Sequence, residues 1–188
     1  MGLFDSLLGR TRLPKSNEDR LFAMSTAAIT LEASANLKPS GRVGIVFKQL
    51  PTGRFEQLKS DVVSMLNLDH DASSLKVEDK SDEYGFDWLV LQSDDPQNNI
   101  AALHTVAQSL IQEGLGDCLL ACVFRFDHAQ KVVYWIYGYK QASFYPFIPT
   151  GNRQRDNAEE LRLAAVIRGE LPIETSLERW YALWDLPV

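Results

Sequence analysis

The 188-residue chain predicts an α+β fold built on a mainly antiparallel sheet, flanked by helices near both ends. Three observations carry that prediction. The stretch Asp117 to Pro149 holds nine of the nineteen aromatic residues, and within it two apolar runs, Cys118 to Phe126 and Val132 to Tyr139, flank the polar Asp127-His128-Ala129-Gln130 as a hairpin flanks its loop. Both runs are apolar on both faces: Cys118, Leu120, Cys122, Phe124 and Phe126 alternate with Leu119, Ala121 and Val123. Half-buried strands alternate apolar with polar, so these strands belong at the centre of a sheet covered from both sides. Upstream, strand-like and helix-like periodicities take turns along the chain.

The elements follow in order. Residues 1–15, MGLFDSLLGRTRLPK, form an amphipathic arm with Leu3, Phe4, Leu7 and Leu8 on one helical face and Arg10, Arg12 and Lys15 behind it. This make-up suits an interfacial membrane helix or a peptide that docks in a partner's groove, against the plainer reading of an arm lying on its own domain. Residues 16–188 read as one α+β domain. Asn17 to Asn36 is helical in period, divided near Ser25-Thr26, and Lys38 to Gly41 is a turn. Arg42 to Lys48 is a strand. Thr52 caps a helix to about Leu66 with Phe55, Leu58, Val62, Met65 and Leu66 on one stripe. Ser74 to Asp79 and Tyr84 to Gln92 are strands joined by a turn. Asp95-Pro96 opens a helix with a cap followed by proline, and Gly114 closes it. The order β-α-β-β-α-β is that of the ferredoxin-like split unit, with the strand from Lys131 to Lys140 added. Asp156 with Glu159, and Thr175 with Glu178, mark the starts of two further helices, about 157–168 and 176–184, that would form a lid over the second sheet face.

Composition sets the bounds on function. The chain is 45% hydrophobic and 23% charged, enough to bury a core without disulfide or metal. Cys118 and Cys122, four apart on one strand, sit roughly 13 Å apart, too far to bridge. The net charge is −6, concentrated between Asp69 and Asp95, which argues against a nucleic-acid partner. No apolar run reaches the length of a membrane span and no secretory leader is evident, so a cytoplasmic protein is expected, with a peripheral place at the inner face of the membrane as an option.

No catalytic motif stands out: there is no G-x-S-x-G, Walker loop or G-x-G-x-x-G. His70, His104 and His128 are isolated, so no metal site and no cofactor are expected. Asp87, between Phe86 and Trp88, reads as a solvated acid at an edge, against the alternative of a buried carboxylate. The one cluster with chemical promise is Arg153 and Arg155 at a helix N-terminus beside the aromatic residues Tyr139, Phe144, Tyr145 and Phe147, a candidate interaction or anion site.

The segments MGLFDSLLGRTR, DRLFA, AAITLEA, YGFDW, VYWIYGYKQASFYPF followed by RQRDNAEEL, and the closing LPIETSLERWYALWDLP together resemble the PspA-associated protein family PspAB, companions of phage-shock protein A in bacteria and archaea. The resemblance covers the chain from end to end. It implies a cytoplasmic accessory factor of the PspA membrane-stress system and brings no catalytic residues with it. The element order is also similar to the secretion-chaperone-like, YbjN-type fold, which would imply peptide binding. The expectation is therefore a non-enzymatic interaction protein whose partner is PspA or a second copy, with residues 1–15 as a membrane or partner contact. The alternatives are a chaperone-like peptide binder, or a small-ligand or enzymatic site around Tyr139, Arg153 and Arg155.

Overall fold

In the computed structural model, which describes residues 19–50, 53–68, 75–82, 84–129 and 131–188, the double-sided apolar strands form the middle of a six-stranded sheet. After a 3-10 turn at Asp19–Phe22 come α1 (Ala23–Ala35), β1 (Lys38–Lys48), α2 (Gly53–Leu68), β2 (Lys76–Ser81), β3 (Phe86–Gln92), α3 (Pro96–Gln112), β4 (Leu119–His128), β5 (Lys131–Gly138), β6 (Ser143–Phe147), β7 (Pro149–Gly151), β8 (Gln154–Arg155) and α4 (Asn157–Ile167). The sheet order is β2-β3-β1-β4-β5-β6 and every neighbouring pair is antiparallel. Its first four strands carry the ferredoxin-like order, and β5 and β6 extend it beyond β4.

Each face of the sheet has its own core. Ile45, Phe47, Leu89, Leu91, Cys122, Phe124, Trp135, Tyr137 and Phe144 face α1, α2 and α3. Val46, Trp88, Val90, Ala121, Val123, Ile136, Tyr145 and Phe147 face the other way, beneath Ala164 of α4, Trp180 and Val188. Period-2 alternation therefore supplies two cores from one set of strands.

Local chemistry explains several boundaries. Asp95 accepts the Gln97 N–H at 2.8 Å and Pro96 follows it, which starts α3; Gly114 at φ +75° lets its own N–H and that of Leu115 turn back to Ile111 and Leu110. Asp156 accepts the Glu159 N–H at 3.1 Å and so starts α4, a bond that holds the Asp156 carboxyl below its usual range. Gly41, at φ +77°, sits where a Cβ would meet the Ser93 carbonyl at 2.8 Å, and Asn99 Nδ2 donates to the carbonyls of both residues.

The structure corrects the sequence reading at five points. Lys38 to Gly41 is the start of β1 with an irregular register, not a turn. Helix α1 is unbroken at Ser25-Thr26 and buries Met24, Ala27, Ala28 and Leu31, leaving Ile29 exposed. Residues 143–147 form a sixth strand, because Phe144 and Tyr145 each find a core on opposite faces. Asp87 is buried at 1% exposure, taking a 2.7 Å bond from Ser81 Oγ and facing Lys59 Nζ at 3.5 Å. Burial pulls the Lys59 pKa down, but hydrogen bonds and charge from Asp79, Glu56 and Asp87 outweigh it and leave the ammonium more firmly protonated than usual. This cluster ties α2 to β2 and β3.

The fifth correction concerns the lid. The helix expected over 176–184 is a single 3-10 turn at Leu177–Arg179, and the chain then runs without helix to Val188 as a strap across the outer sheet face. A short helix would bury one stripe, whereas the strap spreads Trp180, Trp184, Leu186 and Val188 along the sheet. Three arginines satisfy its carbonyls: Arg155 Nη1 donates to Trp180 at 2.7 Å, Arg42 Nη2 to Pro187 at 3.2 Å and Arg125 Nη1 to Val188 at 3.4 Å.

Candidate functional site: a groove under the strap

Between the strap and the outer face lies a groove of about 970 Å³. Val46 of β1, Trp88 of β3, Ala121 of β4 and Tyr145 of β6 line it from the sheet, and Ala182, Leu183, Trp184 and Leu186 line it from the strap. Its polar lining comes from Asp82, Asp117, Lys140, Gln141 and Arg153, and the exposed rings of Tyr84 and Tyr181 border it. A concave apolar surface with a few polar groups is the usual form of a binding cleft.

A β-bulge shapes the floor. β1 and β4 run in register from Val43↔Phe124 to Val46↔Ala121, after which Phe47 pairs with Leu119 and Leu120 is left over. The bulge frees Leu120 from the strict alternation that would have put it on the Cys122 face, and it lines the groove at 37% exposure. At the edge, Asp82 organises the turn between β2 and β3. Its Oδ1 accepts the N–H groups of Tyr84 and Phe86, both at 2.9 Å, and its Oδ2 accepts the Trp88 indole N–H at 3.0 Å. Arg153 reaches across from the β7–β8 turn to donate to the Tyr84 hydroxyl at 3.3 Å. Roof and floor meet through aromatic contacts: Trp184 stands edge-on to Phe147 at 5.1 Å, and Trp180 stacks on Tyr145 at 6.3 Å. Burial raises the Tyr145 phenol, partly offset by Arg155, so it stays neutral.

The residues expected to form one interaction site are divided by the fold. Tyr145 and Arg153 line the groove. Tyr139 and Phe144 belong to the opposite core, where the Tyr139 hydroxyl lies 3.2 Å from Cys122 Sγ. Phe147 is fully buried under Trp184. Arg155 is a structural clamp: it holds the buried Glu160 carboxylate through Nε at 2.9 Å and Nη2 at 2.8 Å, donates to the Trp180 and Pro146 carbonyls, and covers the Phe147 ring at 5.1 Å. Its hydrogen-bonding nitrogens are committed inside the protein, which leaves Arg153 alone of the pair turned to the groove. Leu3, Phe4, Leu7, Leu8, Arg10, Arg12 and Lys15 lie outside the described residues. Sequence reasoning missed Leu120, Asp82 and the strap residues as a site. The closing run WYALWDLP carried the signal, read there as one face of a helix.

Among the described residues no three His, Cys, Asp or Glu side chains are grouped to hold a metal, and no helix is long and apolar enough to cross a membrane. Cys118 and Cys122 are buried free thiols, pushed by burial to about 11 and about 12.

Fold and groove together define an α+β protein of ferredoxin-like strand order whose extended sheet carries an apolar cleft under a C-terminal strap. The family described as PspA associated protein B matches residues 1–188, and the chain belongs to this PspAB family, as its motifs suggested. No curated protein and no solved structure matches it.

Proposed function

We propose that the chain is a non-enzymatic accessory protein that binds PspA, and that the groove under the strap receives an apolar segment of that partner. The observation that carries this reading is the groove itself: floor and roof of Val46, Trp88, Ala121, Leu183 and Trp184, with charges of both signs around it. Apolar anchors inside a polar border are how protein segments are held. The family name supplies PspA as the partner. In this reading the protein works on the cytoplasmic side in the membrane-stress response. Leu3, Phe4, Leu7 and Leu8 then rest on the membrane, and Arg10, Arg12 and Lys15 each add about 1 kcal/mol against anionic headgroups.

Titration of purified PspA into the protein tests the groove. Leu120→Glu, at a partly exposed position, is expected to weaken binding at least tenfold while leaving the far-UV spectrum intact; unchanged affinity contradicts docking there. Co-sedimentation with anionic liposomes tests the arm: deletion of residues 1–15 abolishes it, and equal pelleting of both proteins overturns the membrane contact. A small-ligand reading has one observation in its favour, the concavity beside Tyr84 and Arg153. In that reading PspA would not bind at all.

A further inference from the structure

We infer that Arg153 and the Tyr84 hydroxyl form a carboxylate clamp at the border of the groove, which selects an apolar segment that carries one acidic side chain. The inference rests on the reading of the groove as a place for a partner's apolar segment, and it adds the charge which that segment brings.

The fold brings the two residues together from opposite sides. Strands β2 and β6 are the two edges of the sheet, Tyr84 lies in the turn between β2 and β3, and Arg153 lies in the β7–β8 turn that follows β6. Arg153 Nη2 donates to the Tyr84 oxygen at 3.3 Å, so one contact joins the two turns at the groove that both residues line. That bond leaves donors over. The Tyr84 oxygen accepts, so its own hydrogen is left to give, and Arg153 keeps most of its N–H groups. Among the described residues neither side chain has a further hydrogen-bond or ion-pair partner.

What these donors lack is an acceptor, and the acids of the lining do not supply it. Asp82 is engaged by the N–H groups of Tyr84, Phe86 and Trp88. Asp117 and Lys140 stand at the same end of the paired strands β4 and β5, where their opposite charges offset each other. Arg153 is then the charge that the lining leaves uncompensated. A carboxylate matches it in charge and in shape, since its two coplanar oxygens suit a guanidinium and leave a lone pair for the phenol. A phosphate group would bring more charge than one guanidinium offsets, and a basic side chain would meet Arg153 with Asp82 already engaged. Because the floor and roof beside the clamp are apolar, the acid arrives on a chain that also buries apolar side chains. Apolar contact supplies the affinity, and the clamp sets the register.

Overlapping peptides tiled along PspA test this by fluorescence anisotropy, with Arg153→Ala and Tyr84→Phe as the variants. Both side chains are exposed, so the fold does not depend on them. The peptides that bind are expected to contain Asp or Glu, and changing that residue to Asn or Gln weakens binding to the wild type about tenfold. The same change has little effect with Arg153→Ala, and Tyr84→Phe lies in between. A loss that is equal in all three proteins, or absent, overturns the clamp; if Leu120→Glu still weakens binding in that case, the groove reading stands without it. If no PspA peptide binds, octanoate and its neutral counterpart octanamide decide the question. Preference of the wild type for octanoate, read from the indole N–H signals of Trp88 and Trp184 and lost in Arg153→Ala, supports the clamp even though the PspA reading has failed. An equal response to both compounds, or to neither, overturns it.

Discussion

Two arginines separated by one residue meet opposite fates. Arg153, in a left-handed turn at φ +52°, projects to the groove edge. Arg155 is drawn into the fold by Glu160, whose carboxylate is 1% exposed and also accepts the Ile148 N–H at 2.8 Å. Taking away one partner of a buried pair strands the other charge, so Arg155→Ala is expected to cost about 3–5 kcal/mol in urea unfolding, while Arg153→Ala changes stability little. Nothing in RQRDN distinguishes them, because the distinction lies in Glu160 and in carbonyls up to 25 residues away. The thiols and phenols also carry a residue-scale consequence. Burial raises Cys118 from 9.0 to about 11 and Cys122 to about 12, and raises Tyr134 and Tyr145 as well. Protons are therefore held more tightly in the folded state. The stability this supplies is whole below about pH 9 and drains away as pH climbs through 9 towards 12, when the unfolded chain ionises first. The urea midpoint is expected to fall between pH 8 and 10.5, and a Cys122→Ala variant to show a shallower fall.

At the scale of elements, capping signals translated directly into structure. Asp95-Pro96 and Gly114 bound α3, and Asp156 starts α4, because those bonds are closed within a few residues. The second carboxy-terminal helix failed despite a similar signal at Thr175 and Glu178. Its backbone found Arg155, Arg42 and Arg125, and its tryptophans found a sheet to lie on, so tertiary contacts overrode local preference. The bulge at Leu120 is another case, invisible in a run of uniformly apolar residues because either face would accept any of them. Aromatic packing is part of what holds the strap. Trp184→Ala removes a half-buried indole and its edge-on contact with Phe147, and is expected to lower stability by about 2 kcal/mol with helix content unchanged by circular dichroism.

Across the whole molecule, two cores share one sheet. The first is closed by α1, α2 and α3, and the second by α4 and the strap, which leaves the groove as an apolar recess on the outer face. A strap fixed at its carbonyls by arginines can leave apolar room beneath it, since its hydrogen bonds do not depend on filling that space. The α+β class, the family, the ferredoxin-like order and the two-sided burial of the hairpin were legible in periodicity, caps and motif order, signals that act over a few residues. That the closing segment is a strap, that Leu120 turns to the groove, that Tyr139 and Phe144 leave it, and that Arg155 serves the fold came from long-range contacts alone. Each of those outcomes depends on partners distant in sequence, and an apolar or cationic side chain carries no local mark of which surface will claim it.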